Sequence, residues 1–123
     1  MVIPENLKSE FHRTLLTVQL GEGWLTIEDA GFSGHVITAW NPQSKSISLE
    51  ENLKANLKLS RVLSELGKDF WPCIGKNPEN TWKEDGFAIQ GLTDEEAKQL
   101  GIKFDQLAVF KIESGVKSII DCS

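Results

Sequence analysis

Residues 35–52, HVITAWNPQSKSISLEEN, decide how the rest of the chain is read. The run opens with β-branched and apolar residues, so 35–41 reads as a strand that leaves its sheet at Trp40-Asn41-Pro42. A short polar loop follows. Ser48-Leu-Glu-Glu51 is then a capping box: the Ser48 hydroxyl can accept from the Glu51 backbone N–H while the Glu51 carboxylate reaches back. The helix it opens should run to about Leu66, with Gly67 as a left-handed stop. A strand feeding a long amphipathic helix through a short loop is the β-α step on which the fold is built.

Working outward, residues 11–20 (FHRTLLTVQL) read as a first strand, broken by Gly21 and Gly23. Residues 24–34 read as a connecting loop carrying Trp24 and Phe32. Beyond the helix, FWPCIG (70–75) reads as a third strand, placed at an edge because Pro72 cannot donate to a ladder. The loop KNPENTWKED follows, and then a fourth strand, GFAIQGL (86–92). Thr93-Asp-Glu-Glu96 is a second capping box. It opens a short helix to about Leu100, stopped by Gly101. Strands at 106–112 and 116–122 join across Glu113-Ser114-Gly115 as a hairpin. The order is ββαββαββ. Its middle six elements are the split βαβ order of a ferredoxin-like core. The expected fold class is α+β, with two helices on one face of a mainly antiparallel sheet.

The 123 residues are the length of one domain, 1–123, able to build a core without metal or disulfide staples. No stretch approaches the ~18 apolar residues of a membrane span, and the first residues, MVIPENLKSEF, lack the layout of a signal peptide. A net charge of −5, with Lys54, Lys58 and Arg61 sharing a helix face with Glu50, Glu51 and Glu65, argues against nucleic acid as ligand. Cys73 and Cys122 fit no zinc or redox spacing and read as reduced thiols of a cytoplasmic protein. The two histidines, His12 and His35, each fall within an expected strand, so no metal site and no cofactor is expected.

On a helical wheel, Glu50, Glu51, Lys54, Lys58, Arg61 and Glu65 gather on one side. Leu49, Leu53, Leu57, Leu59, Val62, Leu63 and Leu66 take the other. Asn52 and Asn56 fall among the leucines, one turn apart. A buried amide without a partner costs roughly 1–3 kcal/mol, so these two must be satisfied by the 41–47 loop, Thr38 or Asn41. Two readings stay open. The amides are internal pins that hold the loop, or some of their edges face a pocket walled by Trp40, with the helix N-terminus supplying N–H groups. Trp82, with Glu84 and Asp85 beside it, forms a second polar group in the loop before the fourth strand. Gln106, at the start of the fifth, is a third candidate. No nucleophile, phosphate-loop or metalloprotease motif is present.

The stretches ITAWNP (37–42) and EEN (50–52), Pro72 to Gly75, Trp82-x-Glu84, Gly91, the EA and LG pairs at 96–97 and 100–101, and Phe104-x-Gln106-x-Ala108 resemble the bacterial family DUF3293 from about residue 11 to 122. Where the family pattern has Gly between the Phe and the Gln, this chain has Asp105. The resemblance implies no activity. It implies that Thr38, Trp40, Asn41, Asn52, Trp82, Glu84 and Gln106 form one set.

Three functions compete. The first is binding of a small polar or nucleotide-like ligand at the corner of Asn41, Asn52 and Asn56, with Trp40 or Trp82 as a stacking wall. The second is an acidic inhibitor or immunity-type protein that masks a basic protein partner. The third is an enzyme with Glu84 as acid/base. The expectation is that Glu84 and Gln106 meet the amide corner at one end of the sheet.

Overall fold

The computed structural model describes Ile3 and residues 5–123. The expectation of no secretion signal draws on Met1, Val2 and Pro4, which lie outside the described residues. The chain is α+β. Its elements are α1 (Glu5–Arg13), β1 (Leu15–Leu20), β2 (Gly23–Thr26), α2 (Ile27–Ala30), β3 (Gly34–Ile37), α3 (Leu49–Glu65), β4 (Asp69–Lys76), β5 (Lys83–Gln90), α4 (Asp94–Lys103), β6 (Ala108–Glu113) and β7 (Val116–Asp121). All seven strands form one sheet, ordered β2-β1-β4-β5-β3-β6-β7, and each adjacent pair is antiparallel.

The ββαββαββ order is therefore corrected at the N-terminal end. Residues 11–13 belong to α1, so His12 is helical. The expected loop at 24–34 holds β2 and α2. Thr26 caps α2 by accepting from the Asp29 N–H at 3.1 Å. Pro72 is not on an edge strand, because β4 lies between β1 and β5. The proline is tolerated because the β1 ladder reaches β4 only from Lys76 to Cys73, so Pro72 is paired on the β5 side alone. Strand β5 begins at Lys83, not Gly86, because the β4–β5 hairpin stays in register from Asp69↔Gln90 to Lys76↔Lys83.

Helices α3 and α4 cover one face. Leu59 and Leu63 of α3, with Ala97, Leu100 and Phe104 on the α4 side, close over Ile37, Ile89 and Val109. The opposite face packs Leu16, Val18, Val36, Cys73, Ala88 and Ile112 with Ile27 of α2 and Phe32. Helix α1 lies over that second face as well, with Phe11 edge-on to Phe110 of β6 at 6.3 Å.

The helix ends follow the sequence more closely than the helix faces do. Ser48 accepts from the Glu51 N–H at 3.1 Å, although the Glu51 carboxylate returns to the Ser48 hydroxyl at 2.9 Å rather than to its backbone. Gly67, at φ +69°, terminates α3 as expected. Thr93 and Glu96 make the complete capping box. Gly101 does not stop α4, which runs on to Lys103. A Cβ there would lie 2.6 Å from the Cys122 sulfur, so glycine serves the close approach of helix to sheet. The wheel misplaced part of α3. Leu49, Leu53 and Leu57 are 64%, 52% and 53% exposed. The buried face is the narrower i, i+4, i+7, i+11 series Asn52, Asn56, Leu59 and Leu63.

Candidate functional site

Past Ile37 the chain leaves the ladder, and the buried amides catch it. Asn56 accepts from the Ala39 N–H at 2.9 Å and donates to the Asp85 carbonyl at 2.7 Å. Asn52 accepts from the Asn41 N–H at 2.8 Å and donates to Asn41 Oδ1 at 2.9 Å. Asn41 Oδ1 also accepts from the Ile47 N–H. Asn41 holds a left-handed backbone, φ 45°, at the mouth of a tight turn through Pro42–Ser44. The Thr38 hydroxyl donates to the Asp85 carbonyl at 2.5 Å and accepts from the Trp40 N–H. Gln106 reaches the same end, its Nε2 donating to the Trp40 and Phe104 carbonyls at 3.2 Å each. Asp105 is left-handed at φ 56°.

The concavity lies on the other side of these bonds. A cavity of about 240 Å³ opens between α1 and the sheet face away from α3. Its floor exists because facing strands carry small residues in register. Gly75 stands opposite Glu84 and Cys73 opposite Gly86, with Ala108 lining it from β6. Leu16, Val36 and Phe110 supply apolar sheet wall, and Leu7 and Phe11 the roof.

Of the eight residues singled out from the sequence, Thr38, Trp82, Glu84 and Gln106 line this cavity. Trp40, Asn41, Asn52 and Asn56 do not; they form the frame behind it. Glu84 is the floor's one carboxylate, and no protein hydrogen bond or ion pair reaches it among the described residues. Burial pushes its carboxyl up to about 7 from an ordinary 4.5. Cys73, on the same floor, is pushed by burial to about 12 and is an inert thiol at neutral pH. Trp82 is placed by buried Asn77, whose Oδ1 accepts from the Thr81 and Trp82 N–H groups at 2.8 and 3.2 Å.

Sequence reasoning missed Asn77 and the small-residue floor. The alternation of Cys73 and Gly75 on one strand and Glu84 and Gly86 on the next was its available signal. It also missed α1. The roof is tied down by Thr14, which donates to the Glu10 carbonyl, by Arg13, which ion-pairs with Glu10 and Glu79, and by Lys117, which donates to the His12 and Thr14 carbonyls.

Among the described residues no group of three or more His, Cys, Asp or Glu side chains is placed to hold a metal. No described helix is long and apolar enough to cross a membrane. Fold and site together define a small antiparallel α+β protein with a cavity between its N-terminal helix and the open face of its sheet. Its distinguishing group is a carboxylate held without a partner. The chain belongs to the family described as Protein of unknown function (DUF3293), whose family model matches residues 37–109. Neither the curated proteins nor the solved structures compared with it give a match.

Proposed function

We propose that the protein binds a small organic ligand in the cavity under α1, with Glu84 and Gln106 as its polar contacts and Trp82 as a wall. The observation that carries this reading is the 240 Å³ concavity, mostly apolar, with the partnerless Glu84 carboxylate on its floor. The amide corner serves the site indirectly. By holding the Asp85 carbonyl from two sides, Thr38 and Asn56 fix the strand on which Glu84 stands. A free phosphate does not suit the cavity, since its charged lining groups are Glu10 and Glu84, so a nucleotide-like ligand would enter by its base or sugar. We read the order β4-β5-β3-β6 of the unit β3-α3-β4-β5-α4-β6 as a ferredoxin-like core that carries this floor.

A fragment screen by ligand-observed NMR tests the reading. Fragments should bind the parent chain and be lost in Ala108→Leu, which fills the hollow from β6. Hits that survive the filled cavity, or a parent that binds none, would sink it. The carboxyl held near 7 supports a second reading, that Glu84 moves a proton on the bound molecule.

A further inference from the structure

Among the described residues, the cavity's charged groups are of one sign. Glu84 rises from its floor and Glu10 stands at its rim, and among the described residues no Lys, Arg or His lines it. Arg13 answers Glu10 at 3.0 Å. Among the described residues nothing answers Glu84. Lys117 sits 5.4 Å from the Phe110 ring, but its ammonium is taken by the His12 and Thr14 carbonyls. The spare hydrogen-bonding capacity also has a sign. Gln106 commits its Nε2 to two carbonyls, which fixes the amide's orientation and leaves Oε1 as an acceptor without a protein donor. The Glu84 carboxylate, when ionised, only accepts. The remaining free donors on the lining, the Ser44 hydroxyl, the Cys73 thiol and the Trp82 indole N–H, are neutral. Three aromatic residues, Phe11, Phe110 and Trp82, also line the cavity, and the Phe110 ring already has Lys117 over it. A lone carboxylate in a mostly apolar hollow is neutralised by a proton or by a bound positive charge, and the acceptor-only polar atoms of Glu84 and Gln106 suit a ligand that brings donors.

We infer that the cavity takes a small organic cation, a primary ammonium or an amidinium on an apolar body, with Glu84 as its counter-ion and Gln106 Oε1 as a further acceptor. This rests on the reading of the cavity as a ligand site and narrows it. The hollow holds the equivalent of roughly eight waters at ~30 Å³ each, enough for one ring and a short arm. A ligand cation also fits the carboxyl's raised range, because binding would convert it to the ionised form and release a proton.

The experiment uses three probes of one shape and different charge: benzylamine, benzyl alcohol and benzoate. Each is titrated into the full chain at about pH 8, where Glu84 is ionised, and followed by the Trp82 indole and Leu16 and Val36 methyl resonances. Benzylamine should bind about tenfold or more tighter than benzyl alcohol, and benzoate should not bind. Glu84→Gln should bring benzylamine down to the affinity of benzyl alcohol in the same variant, and Leu16 and Val36 methyl resonances unshifted in the unliganded variant show that it keeps its cavity. Equal binding of amine and alcohol, or an amine preference unchanged in Glu84→Gln, overturns the cation reading and leaves the ligand site standing. If none of the three probes moves those resonances, the cation reading and the ligand site fall together.

Discussion

Asn52 shows how much one side chain can tell. It sits on the face of α3 that meets the sheet, where a leucine would satisfy the helix better. Its oxygen and its nitrogen are both spent on Asn41. Asn52→Leu should therefore destabilise the fold by roughly 1–3 kcal/mol, because the Asn41 N–H is left without its acceptor. Chemical denaturation checks this, and a variant as stable as its parent would remove the pinning role. The wheel made Asn52 and Asn56 visible from sequence. It could not reveal that their edges are used up, because partners 11 to 29 residues away are set by tertiary approach. Glu84 makes the opposite case. Its loop placement in the sequence reading hid the strand register that turns it inward. A carboxyl whose folded value is raised favours the native state while protonated, so its contribution declines as pH rises from about 4.5 to about 7. Glu84→Gln should remove that decline. Above the window the variant should be the more stable protein, by on the order of 3 kcal/mol. Melting curves of parent and variant across pH read the difference, and parallel curves would contradict a half-buried carboxyl without a partner.

At the scale of elements, α3 separates what a pattern fixes from what packing fixes. Its start and its end were legible because a cap and a stop are local: Ser48 binds a backbone group three residues on, and Gly67 takes a left-handed turn. Its buried face was not, since the wheel shows a broad apolar side and the sheet covers only part of it. Leu59→Ala should cost roughly 2–5 kcal/mol, whereas Leu53→Lys should stay within about 0.5 kcal/mol of the parent. Paired urea denaturation of the two variants decides it; a large loss from Leu53→Lys would place that side chain in an interface. Helix α1 escaped notice for a related reason. Leu7 and Phe11 repeat at i, i+4, but the nine residues around them are mostly polar, and the alternation that starts at Leu15 draws the eye into one long strand.

For the whole molecule, the cavity is made by two different parts of the chain. Its floor, from Thr38 through Cys73, Gly75, Glu84 and Gly86 to Ala108, falls within the segment 37–109 that matches the family model. Its roof, with Leu7, Glu10 and Phe11, comes from a helix outside that segment. The overall α+β class and the antiparallel sheet could be read from the sequence because hairpins and β-α steps are near neighbours. The placement of β1 beside β4 could not, since it pairs residues more than fifty positions apart.

The strand order has a consequence for how the sheet comes apart. Strand β3 has four residues, yet it is bonded on both sides, to β5 and to β6. It alone joins the block β2-β1-β4-β5 to the hairpin β6-β7. Unzipping from either outer edge can strip whole strands without touching it, and freeing it splits the sheet in two. Amide hydrogens of Val36 and Ile37 should thus exchange with solvent only through complete unfolding, with protection equal to the global stability. Those of β2, one of the two outermost strands, should exchange through local fraying. Native-state exchange followed against denaturant would show two isotherms that merge late. A β3 that exchanged as readily as β2 would mean the two halves of the sheet part while each remains folded.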